Sequence, residues 1–139
     1  MIVLDTNVIS ALMRKDPEKL VVKWLDAQPA PSIWITAITV MEIRFGLHTM
    51  PKARRQNALI NAFGLMLKKQ IEGRILCFDA EAATRAAELM AQRKRIGSPI
   101  EVRDTMIAGI VLANHATLAT RNAQHFSDLP ATVVNPWQA

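Results

Sequence analysis

The sequence has one cysteine, no tyrosine and aromatic residues at only 5%. With Cys77 alone, no intrachain disulfide can form. Cys77 lies inside the apolar run from Arg74 to Phe78, where a free thiol is expected to behave as a small hydrophobe. The scarcity of aromatics argues against a flat platform on which successive single-stranded bases stack. No run approaches the roughly 20 apolar residues of a membrane span, so no membrane partner is expected. The chain opens on uncharged β-branched residues, not on a basic region followed by a small-residue cleavage site. It therefore does not read as a secretory leader, and a cytoplasmic location is the expectation. Blocks of like charge, low-complexity tracts and internal repeats are also missing.

What is present is a chain of 139 residues, half of them hydrophobic, which suits one globular domain over 1–139 with a substantial core. Lys and Arg outnumber Asp and Glu by 17 to 12, for a net charge of +5, a balance that favours polyanionic partners such as nucleic acid.

The stretch Met1-Ile2-Val3-Leu4-Asp5-Thr6-Asn7 organises the rest. Apolar residues running into an aspartate read as a buried strand that opens on a polar site at its carboxyl end. In open α/β sheets that is where ligands bind. Asp5 also suits the N-cap of a short helix from Val8 to Met13, and the residues alone leave both readings open. Asp16-Pro17-Glu18 predicts a second helix start, with Leu20, Val21, Trp24 and Leu25 on one face to Ala27. Ile33-Trp34-Ile35 reads as the second strand. A helix from Thr36 to His48 carries Glu42, and Gly46 within it is expected to serve close packing. Thr39-Val40-Met41-Glu42 fits a capping box, whereas a start at Thr36 places Glu42 nearly two turns in, close to the apolar face. Met50-Pro51 predicts a long helix to Gln70 whose cations form a solvated surface.

Gly73 precedes a third strand from Arg74 to Phe78. Asp79 and Glu81 read as helix-start acids for Ala80–Ile96, a helix ending in Arg93-Lys94-Arg95 before Gly97. Those three cations suit the negative end of the helix dipole, with phosphate contact as the alternative. Ser98-Pro99-Ile100-Glu101 fits a capping box opening a helix through Ala113, with Asp104 in its second turn. A carboxylate so close to apolar residues needs a cation, hydrogen bonds or solvent. Thr117-Leu118-Ala119 is a fourth strand and Ala131–Val134 a fifth. His48, His115 and His125 read as surface or structural, although His125 lies near enough to Asn122 to support it. The tryptophans, Trp24, Trp34 and Trp137, are assigned to core or interfaces. The alternation β-α-α-β-α-α-β-α-α-β-β predicts a three-layer α/β/α fold with a mostly parallel sheet of four to five strands.

Taken in order, Val3-Leu4-Asp5-Thr6-Asn7, Glu42, Arg103-Asp104-Thr105-Met106-Ile107-Ala108-Gly109 and Ala119-Thr120-Arg121-Asn122 with Phe126 resemble the PIN domain, nearest its VapC/FitB-like toxin branch. The resemblance spans essentially the whole chain. It implies a Mg²⁺-dependent endoribonuclease, with Mn²⁺ as the alternative ion, leaving a 5′-phosphate and a 3′-hydroxyl. Asp5, Glu42 and Asp104 map onto its metal-holding acids. Asn122 maps onto a fourth catalytic position where an acid is common. Thr6, Asn7 and Thr120 fall at supporting positions, and Arg103 and Arg121 are the candidates for RNA contact. The resemblance also implies a homodimer and a cognate antitoxin as partners. Independently of it, carboxylates gathered together raise one another's pKa unless a cation sits among them, and hard oxygen donors favour Mg²⁺ or Mn²⁺ over Zn²⁺. A PIN-like module that binds RNA or protein without cutting is the rival. A receiver-type phosphoacceptor is excluded, because no acid neighbours Asp5 and no lysine follows Lys94.

Overall fold

The computed structural model describes all residues, 1–139. Five strands form one wholly parallel sheet in the order β3-β2-β1-β4-β5. They are β1 (Ile2–Leu4), β2 (Ile33–Thr36), β3 (Ile75–Leu76), β4 (Thr117–Ala119) and β5 (Val133–Val134). Helices α1 (Thr6–Leu12) and α2 (Lys19–Asp26) join β1 to β2, while α3 (Ala37–His48) and α4 (Arg54–Leu65) join β2 to β3. The pair α5 (Ala80–Arg95) and α6 (Val102–Ala113) then returns the chain to β4.

Alternation along each strand divides the core between the two faces of the sheet. Val3 and Leu118 point to a cluster with Ala82, Leu89, Ile107 and Val111 of α5 and α6. Leu4 and Ala119, one residue on, point to a cluster with Val8, Val21, Ile43 and Phe63 of α1 to α4. The expected three layers are present.

The chain moves outward from β1 through β2 to β3 and then crosses to the other side of β1. That reversal opens a crevice at the carboxyl ends of β1 and β4, where open α/β sheets place their ligands. No helix is long and apolar enough to cross a membrane.

Several element boundaries differ from the sequence expectation. The second helix begins at Lys19 with Glu18 as N-cap, not at Pro17. The long helix begins at Arg54 and finishes in a π turn, Met66–Gln70. Its start is delayed because the buried Gln56 side chain donates from Nε2 to the Leu47 and Met50 carbonyls, tying down the turn after α3. The third strand stops at Leu76, which leaves Cys77 exposed instead of packed in the core. Gly97 is the C′ residue the sequence predicted for α5. At φ +72° it completes a Schellman motif, with the Gly97 N–H on Lys94 O and the Ser98 N–H on Arg93 O.

Gly46, expected to permit close packing, has nothing within 4 Å of where a Cβ would stand. Close approach occurs at Gly109 instead, where a Cβ would strike the Ala82 carbonyl oxygen and lie 2.9 Å from the Ala86 Cβ. The Ala-rich face of α5 and this glycine let the two helix backbones nearly touch, and α6 carries Asp104. Gly109→Ala is therefore expected to destabilise the fold by about 1–3 kcal/mol. Gly46→Ala should be neutral or stabilising by up to about 1 kcal/mol. Urea midpoints of the two variants compared with wild type check this, and equal midpoints would remove the packing role given to Gly109.

Candidate active site

Asp5 follows β1 directly and is 4% exposed. It serves both roles the sequence left open, since it is the N-cap of α1 and also stands in the crevice. The Thr6 N–H donates to its Oδ1 at 2.8 Å. The Thr120 hydroxyl, at the end of the adjacent β4, donates to Oδ2 at 2.7 Å. Asn7 Nδ2 reaches the same oxygen at 3.3 Å. Thr120 Oγ1 in turn accepts the Asn122 N–H at 3.1 Å, which anchors the start of the turn after β4. Burial raises the Asp5 pKa, the Thr120 and Thr6 hydrogen bonds oppose it, and the charges of Glu42 and Glu101 add to the rise.

Glu42 sits nearly two turns into α3, because Thr36 and not Thr39 is the N-cap. The Thr36 side chain accepts the Thr39 N–H at 3.1 Å. The Thr6 hydroxyl donates to Glu42 Oε1 at 2.8 Å. With its proton so placed, Thr6 accepts from the Thr39 hydroxyl at 3.0 Å. A run of hydroxyls thus fixes one face of Glu42, and Arg103 Nη1 lies 3.7 Å from its other oxygen.

Asp104 lies in the first turn of α6, not the second. Glu101 is the N-cap, its Oε2 accepting the Asp104 N–H at 2.7 Å, so the Ser98 start fails by about one turn. The Asp104 side chain is 28% exposed, and His125 Nδ1 stands 3.9 Å from its Oδ2. Its pKa is pushed up to about 6, first by burial, then by the charges of Asp5, Glu101 and Glu42, with His125 opposing.

Asp5, Glu42, Asp104 and Asn122 line one cavity of about 530 Å³, together with Thr6 and Asn7. Thr120 lies behind them, fully buried. The carboxylates share the cavity without closing on a point: no three His, Cys, Asp or Glu side chains stand together as a finished cage. Their donor set fits a hard dication nonetheless. It consists of anionic and amide oxygens, keeps Asp5 and Asp104 above the usual carboxylate range by burial and then by neighbouring negative charge, and offers no Cys or His cluster for Zn²⁺.

The two candidate RNA-contacting arginines differ. Arg103 is directed at Glu42 and also at Glu101, its Nε 3.4 Å from Glu101 Oε1. Arg121 lines the cavity, and its backbone N–H is held by Asn7 Oδ1 at 3.1 Å. The sequence reading missed Ser10, Arg14 and Trp137, which also line the cavity. Ser10 and Arg14 follow Thr6 at steps of four, a helical spacing that was readable.

Arg93 corrects another expectation. Lys94 and Arg95 are exposed as a helix-dipole role requires, but Arg93 is buried. It makes a bidentate pair with Asp128, 2.8 Å and 2.9 Å, and donates to Thr105 Oγ1 at 3.2 Å and to the His125 carbonyl at 2.9 Å. It is therefore not free for phosphate. It ties the end of α5 to the residue after Asp104 and to the turn after Asn122. Asp128 is held below the usual carboxylate range by that pair.

With this geometry described, the comparisons with known proteins place the chain. A family model described as PIN domain matches residues 2–131, and the chain belongs to that family. It is 40% identical over 138 residues to the VapC ribonuclease Y4jK of Sinorhizobium fredii, covering 99% of each chain. It is 35% identical over 137 residues to toxin FitB of Neisseria gonorrhoeae, again covering 99% of each. Among solved structures, a FitAB assembly bound to an IR36 DNA fragment contains a chain with TM-score 0.91 and 35% identity, covering 99% of this chain and 96% of that one.

The charge pattern of the site predicts a pH signature. A carboxyl whose folded pKa lies above its unfolded value weakens the fold while ionised, and that penalty is relieved as pH falls through the folded value. Asp104 should therefore make the protein more stable as pH drops from 7 through about 6. Asp128 acts in the opposite sense: its contribution is present above the ordinary carboxylate pKa and disappears as pH falls through its depressed value. Asp104→Asn should raise stability at pH 7.5 by on the order of 1–2 kcal/mol after solvent screening, and flatten the rise between about pH 7 and 5. Melting curves across that range test it, and a variant less stable than wild type at pH 7.5 contradicts the penalty that burial and neighbouring charge place on ionised Asp104.

Proposed function

We propose that the protein is a divalent-metal-dependent endoribonuclease, the toxin of a toxin–antitoxin pair, acting in the cytoplasm. The observation that carries this reading is the convergence of Asp5, Glu42 and Asp104, from three separate parts of the chain, on one cavity beside Asn122. The relatives named VapC ribonuclease and toxin FitB support the reaction class and the toxin role, and the FitAB assembly supports a partner protein.

In this reading Asp5, Glu42 and Asp104 hold Mg²⁺ or Mn²⁺, with Asn122 offering a neutral oxygen. Such an ion, when bound, supplies charge for the phosphoryl oxygens and lowers the pKa of a water. The remaining work falls to the chain itself. Thr120 and Asn7 fix the rotamer of Asp5, and Thr6 fixes Glu42, so the donors keep their direction when the charges change. Arg14 and Arg121 place positive charge along the cavity rim, where it attracts the RNA backbone without pairing with an acid. Homodimerisation and RNA as the substrate belong to the same proposal. The non-cutting alternative loses ground because it gives no reason to hold mutually repelling acids around one cavity.

Asp5→Asn, Glu42→Gln and Asp104→Asn should each lower RNA cleavage by more than about 100-fold while preserving the circular dichroism spectrum. Calorimetric titration with MnCl2 should show the wild type binding and each variant weakened. A variant cutting at the wild-type rate removes that residue from the site. RNA bound equally well with and without chelator, and never cut, favours the binding module. Because protonated Asp104 is a poor ligand, Mn²⁺ affinity should also fall as pH is lowered through about 6, and affinity unchanged between pH 7.5 and 5.5 would argue against Asp104 as a ligand.

A further inference from the structure

We propose that Arg121 and Trp137 form a stacking seat for one unpaired nucleobase of the RNA, adjacent to the phosphate that is cut. The proposal rests on the nuclease reading and names the part of the substrate that the acids cannot recognise.

The guanidinium carbon of Arg121 lies 5.1 Å from the centroid of the Trp137 indole, and both residues line the cavity shared by Asp5, Glu42 and Asp104. This cation–π contact holds a long, exposed side chain in one orientation. No carboxylate pairs with Arg121, so its charge is not neutralised by a neighbouring acid.

The pair is also registered to the acids through the backbone. Asn135 Oδ1 accepts the Trp137 N–H at 2.9 Å, while its Nδ2 donates to the Arg121 carbonyl at 3.4 Å. Arg121 N–H in turn donates to Asn7 Oδ1, and Asn7 Nδ2 donates to Asp5 Oδ2. Two amide side chains therefore connect Trp137, Arg121 and Asp5 in a single hydrogen-bonded sequence. The indole is itself half-buried against the cluster under α1 to α4, and buried Pro136 precedes it.

Indole and guanidinium faces are the surfaces on which proteins stack single-stranded bases, and such stacking tolerates any base because each presents a π-face. A chain poor in aromatics cannot build a row of such faces, and one Arg–Trp pair seats one base. A double helix keeps its bases stacked on one another, so the seat selects single-stranded or looped RNA over duplex.

The test uses fluorescently labelled single-stranded hexaribonucleotides in a Glu42→Gln background to measure binding, and in the wild-type background to measure cleavage. Trp137→Ala should weaken binding about 10-fold, and Trp137→Phe should recover most of that loss. On a matched oligomer lacking the base beside the cleaved phosphate, Trp137→Ala should cost little further. Binding unchanged by Trp137→Ala overturns the proposal. So does a loss that persists in full on the abasic oligomer, because it then reflects packing. RNA cut normally by Trp137→Ala leaves the nuclease and removes the seat. RNA bound through Trp137 but never cut with Mg²⁺ or Mn²⁺ leaves the seat and removes the nuclease.

Discussion

A carboxylate taken out of water costs several kcal/mol unless hydrogen bonds replace those it loses, and the burial of Asp5 imposes that requirement on the chain around it. Its partners come from the next residue, from Asn7 and from Thr120 on the neighbouring strand. The last of these spans 115 positions in sequence and exists only because β4 pairs with β1 in register, Leu4 against Ala119. Sheet order, strand register and site geometry are therefore one constraint. A slip of β4 by one residue would turn the Thr120 side chain to the other face and leave the Asp5 carboxylate short of its nearest hydroxyl.

Charge is used in two opposite ways within a short distance of Asp104. On one side the buried Arg93 and the partly exposed Asp128 form a bidentate pair, and the arginine's remaining donors are taken by Thr105 and the His125 carbonyl. That arrangement is electrostatically complete and fastens α5, α6 and the turn after β4 together. On the other side Asp5, Glu42 and Asp104 face one another with only partial compensation from Arg103 and His125, at 3.7 Å and 3.9 Å. Burial first, and the neighbouring carboxylates after it, raise the pKa values of Asp5 and Asp104. A satisfied pair thus holds an incompletely compensated group of acids in position.

Most of the fold was legible because its signals are local. Each strand is a short apolar run and each of the first three crossovers a pair of helices, so the order of elements, the parallel sheet and the layers follow from periodicity and topology rules. Asp5, Glu42 and Asp104 were legible as acids at strand ends or near apolar faces. Boundaries were harder wherever competing chemistry decided them. Ser98-Pro99-Ile100-Glu101 has the form of a capping box, but the Glu101 side chain reaches the Asp104 N–H and starts α6 about a turn later. Pro51 suits a first helical position, yet Gln56 holds the preceding turn and delays α4. Arg93 was misassigned, and the place of Trp137 at the cavity was missed, for a different reason. Nothing in Arg93-Lys94-Arg95 distinguishes the one arginine whose partner lies 35 residues on. Trp137 reaches the cavity only because β5 lies beside β4, so that the chain leaving it passes the chain leaving β4.

That last adjacency explains why the end of the chain matters to a site that begins at its fifth residue. In a parallel sheet every strand delivers its following loop to the same edge, so residues just past β1, β2, β4 and β5 meet whatever their separation in sequence. The loops after β1 and β2, with the helices they open, supply Asp5 and Glu42, and the loop after β4 supplies Thr120 and Asn122. The third crossover takes no part at its strand end, since Asp79 after β3 only caps α5, accepting the Ala82 N–H at 2.9 Å. Its contribution arrives instead through α6, whose first turn is carried to the same edge by the tight α5–α6 packing at Gly109 and by the Arg93 tie. The acid with the raised pKa near 6 is thus the one placed by helix packing and not by a strand, which makes its position the most sensitive to changes far from the cavity.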